Sequence, residues 1–149
     1  MVLVYDKELI GYINTFENLA KVKAKDCFKA DDVLVFVVEP IYVMKAIGKS
    51  GSNVKRLASL LRKRIRVIEF NSDVLKFVKN LIMPVDGKVY KEDEGVVAIK
   101  IESNKDKGIV IGRDRKNIIN LQNIVSRYFN AKLKIVLMIE HGKKIKGIV

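Results

Sequence analysis

Apolar and polar positions follow the same order of helical and strand spacing in both halves of the chain. The elements predicted for the first half are a helix over residues 6–19, strands over 25–29 and 33–38, a short helix from Pro40 to about Ile47, a helix from Ser52 or Asn53 to about Lys63, and a strand over 65–70. Proline suits the first turn of a helix, and serine or asparagine suits an N-cap. Gly48 and Gly51 interrupt the short helix before the next helix begins.

The second half repeats this order. Its predicted elements are a helix capped by Asp73 and running through Leu81, strands near 85–91 and 95–101, a short helix over 104–110, a helix ending at about Tyr128, and a strand from Leu133 to Ile139. Each half therefore reads α-β-β-α-α-β, an α+β unit in which helices cover a three-stranded sheet. We predict a first domain over residues 1–71, a second over 72–141, and a basic C-terminal tail over 142–149 that contacts phosphate, contacts a partner or frays.

A sequence repeat supports two copies of one unit. The segment 46–57 matches the segment 110–121 at a shift of 64 residues. Glycine meets glycine at positions 48 and 112, asparagine meets asparagine at 53 and 117, and leucine meets leucine at 57 and 121. Identity at these spacings, with apolar matches between them, is typical of an internal repeat.

The net charge of +12 is unevenly distributed along the chain. Residues 40–68 carry 8 basic and no acidic side chains, and residues 103–139 carry 8 basic and 2 acidic ones. Residues 1–39 and 69–102 each carry 5 basic and 7 acidic side chains. The positive excess thus falls on the two repeated segments and the tail, which indicates an anionic partner: nucleic acid first, an acidic membrane second.

Composition disfavours several classes of protein. No apolar run reaches membrane-spanning length and no secretory signal precedes Asp6, so we expect a cytoplasmic protein with no membrane partner. The only cysteine, Cys27, is interpreted as a core residue, and the only histidine, His141, as a solvated turn residue. Neither has partners for a metal site or a nucleophilic triad, so we expect no enzyme activity, no metal and no cofactor. The acidic cluster 92–94 is interpreted as a solvated hairpin turn.

One phosphate-binding motif needs to be considered. The segment Gly48-Lys49-Ser50 matches the end of a P-loop, Gly-x-x-x-x-Gly-Lys-Ser/Thr. That motif requires glycine at position 43, where this chain has Val43, and a strand directly before the loop, where a helix is predicted. An NTPase is therefore disfavoured.

The first glycine loop carries a resemblance to a known domain. The segment 47–51, Ile-Gly-Lys-Ser-Gly, followed by Val54, resembles the KH-domain signature, in which Gly-x-x-Gly lies between two helices beside apolar residues. The order α-β-β-α-α-β resembles the type II form of that fold. The resemblance implies that the loop and its flanking helices clamp about four nucleotides of single-stranded RNA. Glycines allow close approach of the sugar-phosphate chain, and the N-terminus of the next helix attracts phosphate.

The second loop, residues 112–115, departs from this signature because it lacks the closing glycine. Arg115 must either adopt a strained backbone or reshape the loop. Asp114 would repel phosphate, whereas Arg113, Arg115 and Lys116 could bind it directly. Two interpretations stay open: a second RNA site, or a copy that survives only as a packing partner.

Two such units in tandem resemble the KH pair of the NusA family of transcription elongation, termination and antitermination factors. The resemblance covers nearly all of the 149 residues and points to the short archaeal form, which contains little beyond the KH pair. It implies binding to the nascent transcript near RNA polymerase, by a protein that we expect to be a monomer. A KH protein of ribosome assembly or rRNA processing is the alternative, and single-stranded DNA is a second candidate ligand. A purely structural module would bind no RNA at any salt concentration.

The resemblance places the candidate RNA-binding residues in and beside the two loops. They are Ile47, Gly48, Lys49, Ser50, Gly51, Asn53 and Arg56 in the first copy, and Ile111, Gly112, Arg113, Arg115 and Lys116 in the second.

Overall fold

The structure, a computed structural model, describes residues 6–138 and 144–148. The chain divides into two compact units, residues 1–71 and 72–149, which we call unit 1 and unit 2. Each unit combines helices with one small sheet, so the predicted α+β class is confirmed. Two sequence predictions, the solvated turn at His141 and the end of the last strand at Ile139, lie outside the described residues.

Unit 1 contains three helices and a three-stranded sheet. Its elements are α1 (Lys7–Ala20), β1 (Asp26–Ala30), β2 (Val33–Val38), α2 (Val43–Ile47), α3 (Ser52–Leu61) and β3 (Arg64–Glu69). A single 3₁₀ turn, Pro40–Tyr42, leads into α2. Strand β2 pairs antiparallel with β1 and parallel with β3, so it is the central strand. All 6 of its residues are buried, which explains why its sequence is apolar without interruption.

Helix α1 is capped at both ends. The carboxylate of Asp6 accepts a hydrogen bond from the Leu9 N–H at 2.7 Å, which satisfies one free donor of the first turn. At the other end Lys21 adopts the left-handed conformation, and its N–H donates to a carbonyl of the last turn. The ring of Phe16 stacks on Phe36 of β2, with ring centroids 4.3 Å apart. This contact holds α1 on the sheet.

Helices α2 and α3 pack on the same hydrophobic core. Ala46 of α2 and Leu57 of α3 are fully buried in one cluster with Phe16 and Phe36. Both helices that flank the segment 48–51 are therefore anchored, and the loop between them is an exposed turn on a rigid support.

Unit 2 repeats this order and adds a strand. Its elements are α4 (Val74–Ile82), β4 (Lys88–Asp93), β5 (Val96–Ile101), α5 (Asn104–Ile111), α6 (Lys116–Tyr128), β6 (Lys132–Met138) and β7 (Lys144–Ile148). The sheet order is β4-β5-β6-β7, with β5 and β6 parallel and the other two pairs antiparallel. Asp73 caps α4 as predicted, because its carboxylate accepts a hydrogen bond from the Leu75 N–H at 2.9 Å.

Strand β7 corrects the prediction of a three-stranded sheet in the second copy. The chain from Lys144 to Ile148 does not form a separate basic tail but pairs antiparallel with β6. The free edge of β6 presents unpaired N–H and C=O groups, and the backbone of Lys144–Ile148 pairs with them. The sequence Lys-Ile-Lys-Gly-Ile is short and lacks a strict period-two pattern, so no strand was predicted there.

The β4–β5 hairpin also differs from the prediction. Strand β4 begins at Lys88 rather than at residue 85, because the Val85 N–H donates to the Ile82 carbonyl at 2.9 Å and so closes a turn after α4. The turn of the hairpin contains only residues 94 and 95, and the register shifts between Lys91 and Asp93.

Glu92 lies at that bulge and is not a solvated turn residue. Its carboxylate lies 2.6 Å from the Lys134 ammonium, and both side chains are less than one fifth exposed. Only Asp93 and Glu94 of the acidic cluster are exposed. The prediction that the whole cluster is solvated was therefore wrong for its first residue.

The structure also bears on the cysteine and on membrane-spanning segments. Cys27 is buried in the core of unit 1, as interpreted. Among the described residues, no helix is long and apolar enough to cross a membrane.

Candidate nucleic-acid interface

The first loop joins α2 to α3 through a backbone that depends on Gly48. This residue has φ 80° and ψ 165°, a conformation that is essentially restricted to glycine. A Cβ atom at this position would lie 2.7 Å from the Ser52 hydroxyl oxygen and 2.9 Å from the backbone nitrogen of Asn53. No larger residue fits without moving the start of α3.

The remainder of the loop is a tight turn in left-handed conformations. Ser50 has φ 55° and Gly51 has φ 74°, and the Gly51 N–H donates to the Gly48 carbonyl at 3.1 Å. The side chains of Lys49 and Ser50 are exposed at the tip. Ile47 is half-buried at the end of α2, so it lies at the base of the loop.

Asn53 supports the loop from the first turn of α3. Its side-chain Nδ2 donates a hydrogen bond to the Lys45 carbonyl at 3.1 Å, which ties α3 to the last turn of α2. The equivalent Asn117 in unit 2 is buried, and its Nδ2 donates to the Ile109 carbonyl at 3.0 Å. The same link therefore occurs in both units, in each case directly beneath the exposed loop.

The second loop has the same backbone as the first. Gly112 has φ 78° and ψ 169°, against 80° and 165° at Gly48. Asp114 has φ 54° and ψ 28°, against 55° and 29° at Ser50. A Cβ atom at Gly112 would lie 2.6 Å from the Asn117 side chain, so glycine is required here too.

The helices that follow the two loops lack a side-chain cap, as does the five-residue helix α2, whereas the other three α-helices of the described chain have one. Neither α3 nor α6 has a side-chain hydrogen bond at its N-cap residue. In contrast, α1, α4 and α5 are capped by the side chains of Asp6, Asp73 and Ser103. An N-terminus without an acidic or hydroxyl cap keeps its positive dipole end for an external anion.

No protein-family model matches the chain, but curated relatives do. It is 32% identical over 134 residues to the probable transcription termination protein NusA of Methanocaldococcus jannaschii, covering 87% of this chain and 73% of that protein. The chain belongs to this archaeal NusA family. The protein of the same name from Thermoplasma acidophilum is 30% identical over 135 residues, covering 86% of this chain and 91% of that protein.

Two more similarities agree with membership of the NusA family. The probable transcription termination protein NusA of Halobacterium salinarum is 32% identical over 120 residues, covering 79% of this chain and 86% of that protein. The crystal structure of APE1850 is similar in fold, with a TM-score of 0.59 and 31% identity, covering 89% of this chain and 99% of that one. The relatives are named as transcription proteins and not as enzymes.

Within this NusA-family chain, Arg115 resolves the question of the missing glycine. It adopts the left-handed conformation, with φ 62° and ψ 18°, and leaves the loop unchanged. Of the two outcomes considered from the sequence, strain rather than a new loop shape is observed. A non-glycine residue in this conformation costs about 1–2 kcal/mol. The packing of the two flanking helices must offset this cost.

The sequence-predicted residues divide into exposed and structural groups. The cationic side chains of Lys49, Arg56, Arg113, Arg115 and Lys116 are all exposed at the loops or the helix starts that follow them. Asn53 instead donates a hydrogen bond from its side-chain amide to the Lys45 carbonyl, so it supports the shape of the loop. Sequence reasoning left out Asn117, although its match with Asn53 in the repeat was the available signal.

The basic excess of residues 40–68 extends onto the sheet. Burial first, and the charge of neighbouring Arg64 second, lower the pKa of Arg66 on β3. An arginine still remains protonated at neutral pH.

The segment before the first loop is helix α2, whereas a P-loop requires a strand there, so the geometry agrees with the rejection of an NTPase.

Proposed function

We propose that this NusA-family protein is a single-strand RNA-binding factor that acts in transcription elongation, termination and antitermination, and that it binds the nascent transcript through both loops. The observation that carries the proposal is the pair of exposed loops with one shared backbone, each followed by a helix without a side-chain cap. The names of the archaeal relatives support the assignment to transcription.

Each loop supplies three elements of a phosphate site. The glycine at position 48 or 112 lets the chain turn directly into the next helix, because a Cβ atom there would collide with the start of that helix. The N-terminus of α3 or α6 presents its positive dipole end to phosphate. Lys49 and Arg56 in unit 1, and Arg113, Arg115 and Lys116 in unit 2, add exposed cations. Ile47 and Ile111 line the base of each site, and Asn53 holds the first loop in shape.

The proposal assigns a type II KH domain to each half, with domains over residues 1–71 and 72–141. The order of helices and strands in both units supports it. Residues 142–149 are then an addition to the second domain, of which Lys144–Ile148 forms β7. The further parts of the proposal are a cytoplasmic monomer and an association with RNA polymerase during transcription.

A titration of single-stranded RNA tests the proposal. We would measure fluorescence anisotropy of a labelled RNA pool with the wild type and with Lys49→Asp plus Ser50→Asp, at two salt concentrations. A matched control, Asn14→Asp plus Lys23→Asp, makes the same change in net charge on exposed positions of unit 1 outside the loop. Circular dichroism confirms that each variant folds.

We expect the wild type and the control to bind RNA, with affinity that falls as salt rises, and the folded loop variant to lose most of it. Equal losses in the two variants would mean diffuse electrostatic attraction and would contradict a site at the loop. Co-purification separates the cellular roles: recovery of RNA polymerase supports transcription, whereas ribosomal particles support the alternative of ribosome assembly.

A further inference from the structure

The outer edge of strand β3 in unit 1 is not paired with another strand of the described chain. Strand β3 is the last in the sheet order β1-β2-β3. Its Arg64 N–H donates to the Asp32 carbonyl at 3.3 Å, on the side of β2. Because backbone groups alternate between the two edges of a strand, the N–H and C=O groups of Ile65 and Val67 point away from β2. This outer edge can therefore hydrogen-bond to another extended chain.

The equivalent edge of unit 2 carries such a strand. The first residue of β3 pairs with Val33 at the start of β2, and the first residue of β6 pairs with Val96 at the start of β5. This register aligns Arg-Ile-Arg-Val-Ile of β3 with Lys-Leu-Lys-Ile-Val of β6, so the two strands share one pattern of basic and apolar residues. The outer edge of β6 pairs antiparallel with β7. An edge of this kind thus accepts an antiparallel strand.

Arg66 on β3 lacks the charge partner that its counterpart in unit 2 has. The same register aligns Arg66 with Lys134, whose ammonium lies 2.6 Å from the Glu92 carboxylate. Glu92 is the extra residue of the bulge in β4, whereas β1 pairs with β2 without a shift and has no equivalent residue. Arg66 is half-buried, and among the described residues no carboxylate forms an ion pair with it.

The surroundings of Arg66 favour an external anion. Burial first, and the charge of Arg64 second, lower the pKa of Arg66, which means that both oppose its positive charge. Arg64 itself is mostly exposed and lies 3.7 Å from the Asp32 carboxylate. A carboxylate brought to this edge by a partner would stabilise the Arg66 guanidinium as Glu92 stabilises Lys134.

Backbone geometry and charge together indicate the kind of partner. Outward N–H and C=O groups at every second residue match the backbone of an extended peptide, whereas phosphate groups accept hydrogen bonds and donate none to the outward carbonyls. Residues of an added strand opposite Ile65 and Val67 would lie beside the core of unit 1 and should be apolar. The residue opposite Arg66 should be acidic. The segment Lys-Ile-Lys-Gly-Ile of a second copy carries the wrong charge.

We propose that the outer edge of β3 binds an extended, acidic segment of a partner protein as an added antiparallel strand. In this segment acidic residues alternate with apolar ones, so that a carboxylate meets Arg66 while the backbone pairs with Ile65 and Val67. The inference goes beyond the proposed function and does not depend on RNA binding by the loops.

The test is a titration of the isotope-labelled full chain with the peptide acetyl-Thr-Val-Glu-Val-Glu-Thr-amide, followed by NMR. In the expected register the valine N–H groups face β3 and the glutamate N–H groups face away. Two control peptides are therefore N-methylated, one at the valines and one at the glutamates. The protein variants are Arg66→Glu and, as a matched control, Lys23→Glu at an exposed position outside the sheet. Circular dichroism confirms that both variants fold.

We expect the amide protons of Ile65 and Val67 to exchange quickly in the free protein and to become protected when the peptide binds. Methylation at the valines should abolish binding, whereas methylation at the glutamates should be tolerated. Arg66→Glu should weaken binding about tenfold, the order of magnitude of one hydrogen bond to a charged group. The same variant should prefer a peptide with lysine in place of glutamate, and Lys23→Glu should bind like the wild type.

Three results would overturn the inference. Protection of the Ile65 and Val67 amides in the free protein would mean that the edge is already covered. Equal binding of the two methylated peptides would exclude strand addition, and this result decides the matter even if Arg66→Glu does not fold. Equal effects of Arg66→Glu and Lys23→Glu would mean diffuse attraction, with the arginines of β3 only protecting the edge against pairing.

RNA titration of the same variants separates this inference from the proposed function. The Lys49→Asp plus Ser50→Asp variant should bind the peptide like the wild type while it loses RNA. A wild type that binds the peptide but no RNA would reject the proposed function and leave the inference standing. If the peptide does not bind and Arg66→Glu instead weakens RNA binding, the edge serves RNA and the inference is wrong.

Discussion

The loop geometry distinguishes two glycines that look alike in the signature, and the distinction can be measured. Gly48→Ala puts a Cβ atom 2.9 Å from the backbone nitrogen of Asn53, in a backbone conformation restricted to glycine. Such a conformation costs about 1–3 kcal/mol for another residue, and the contact with backbone atoms adds to it. We expect a loss of about 3 kcal/mol in the free energy of unfolding.

Gly51→Ala is expected to cost much less. The nearest atom to a Cβ there is the Lys55 Cε at 4.0 Å, so only the left-handed φ of 74° opposes alanine. That strain amounts to about 1–2 kcal/mol, and Arg115 tolerates it in the second loop. Gly51→Ala should therefore keep RNA affinity, whereas Gly48→Ala should lose it because α3 must move.

Urea denaturation followed by circular dichroism gives both free energies, and RNA titration of the folded variants gives the affinities. Equal costs for the two substitutions, or a larger cost for Gly51→Ala, would refute the claim that the close approach at Gly48 shapes the loop.

Two other predictions concern the interior. Asn117→Ala should lower the free energy of unfolding by about 2 kcal/mol, because it removes the hydrogen bond that the side chain donates to the Ile109 carbonyl. Asn123→Ala, on the exposed side of α6, should have little effect in the same urea experiment. Burial first, and the Asp26 charge second, raise the pKa of Cys27 to about 12. The folded thiol then keeps its proton above pH ~8.5, where the unfolded thiol loses it, so stability should fall as pH rises towards 12. Between pH 7 and pH 10 the wild type should lose about 1–2 kcal/mol more than Cys27→Ala, and parallel losses in the two proteins would contradict this.

The order of elements could be predicted from the sequence because each one carries its own periodic signal. Helix α1 has apolar residues at helical spacing and an aspartate at its N-cap, and β2 is a continuous apolar run. Features set by distant parts of the chain were missed. Strand β7 depends on the free edge of β6, and the burial of Glu92 depends on a bulge that brings it to Lys134.

The candidate site shows the same division between local and tertiary information. The glycines at 48 and 112 were found by their spacing, because only glycine suits the backbone there. The direction of the asparagine side chains was not predictable, since it follows from the angle at which α3 and α6 leave the loops. The exposure of Ile41 and Met44 was also not predictable, because the sequence alone does not show that these residues avoid the core.

Photo-crosslinking of RNA to the protein tests the central claim most directly. A single-stranded RNA that contains 4-thiouridine would be irradiated in complex with the wild-type chain, and the crosslinked peptides would be identified by mass spectrometry. The account predicts crosslinks within residues 47–56 and 111–116, which are lost from the first segment in the Lys49→Asp plus Ser50→Asp variant. Crosslinks confined to other surfaces, with none in either loop, would contradict it.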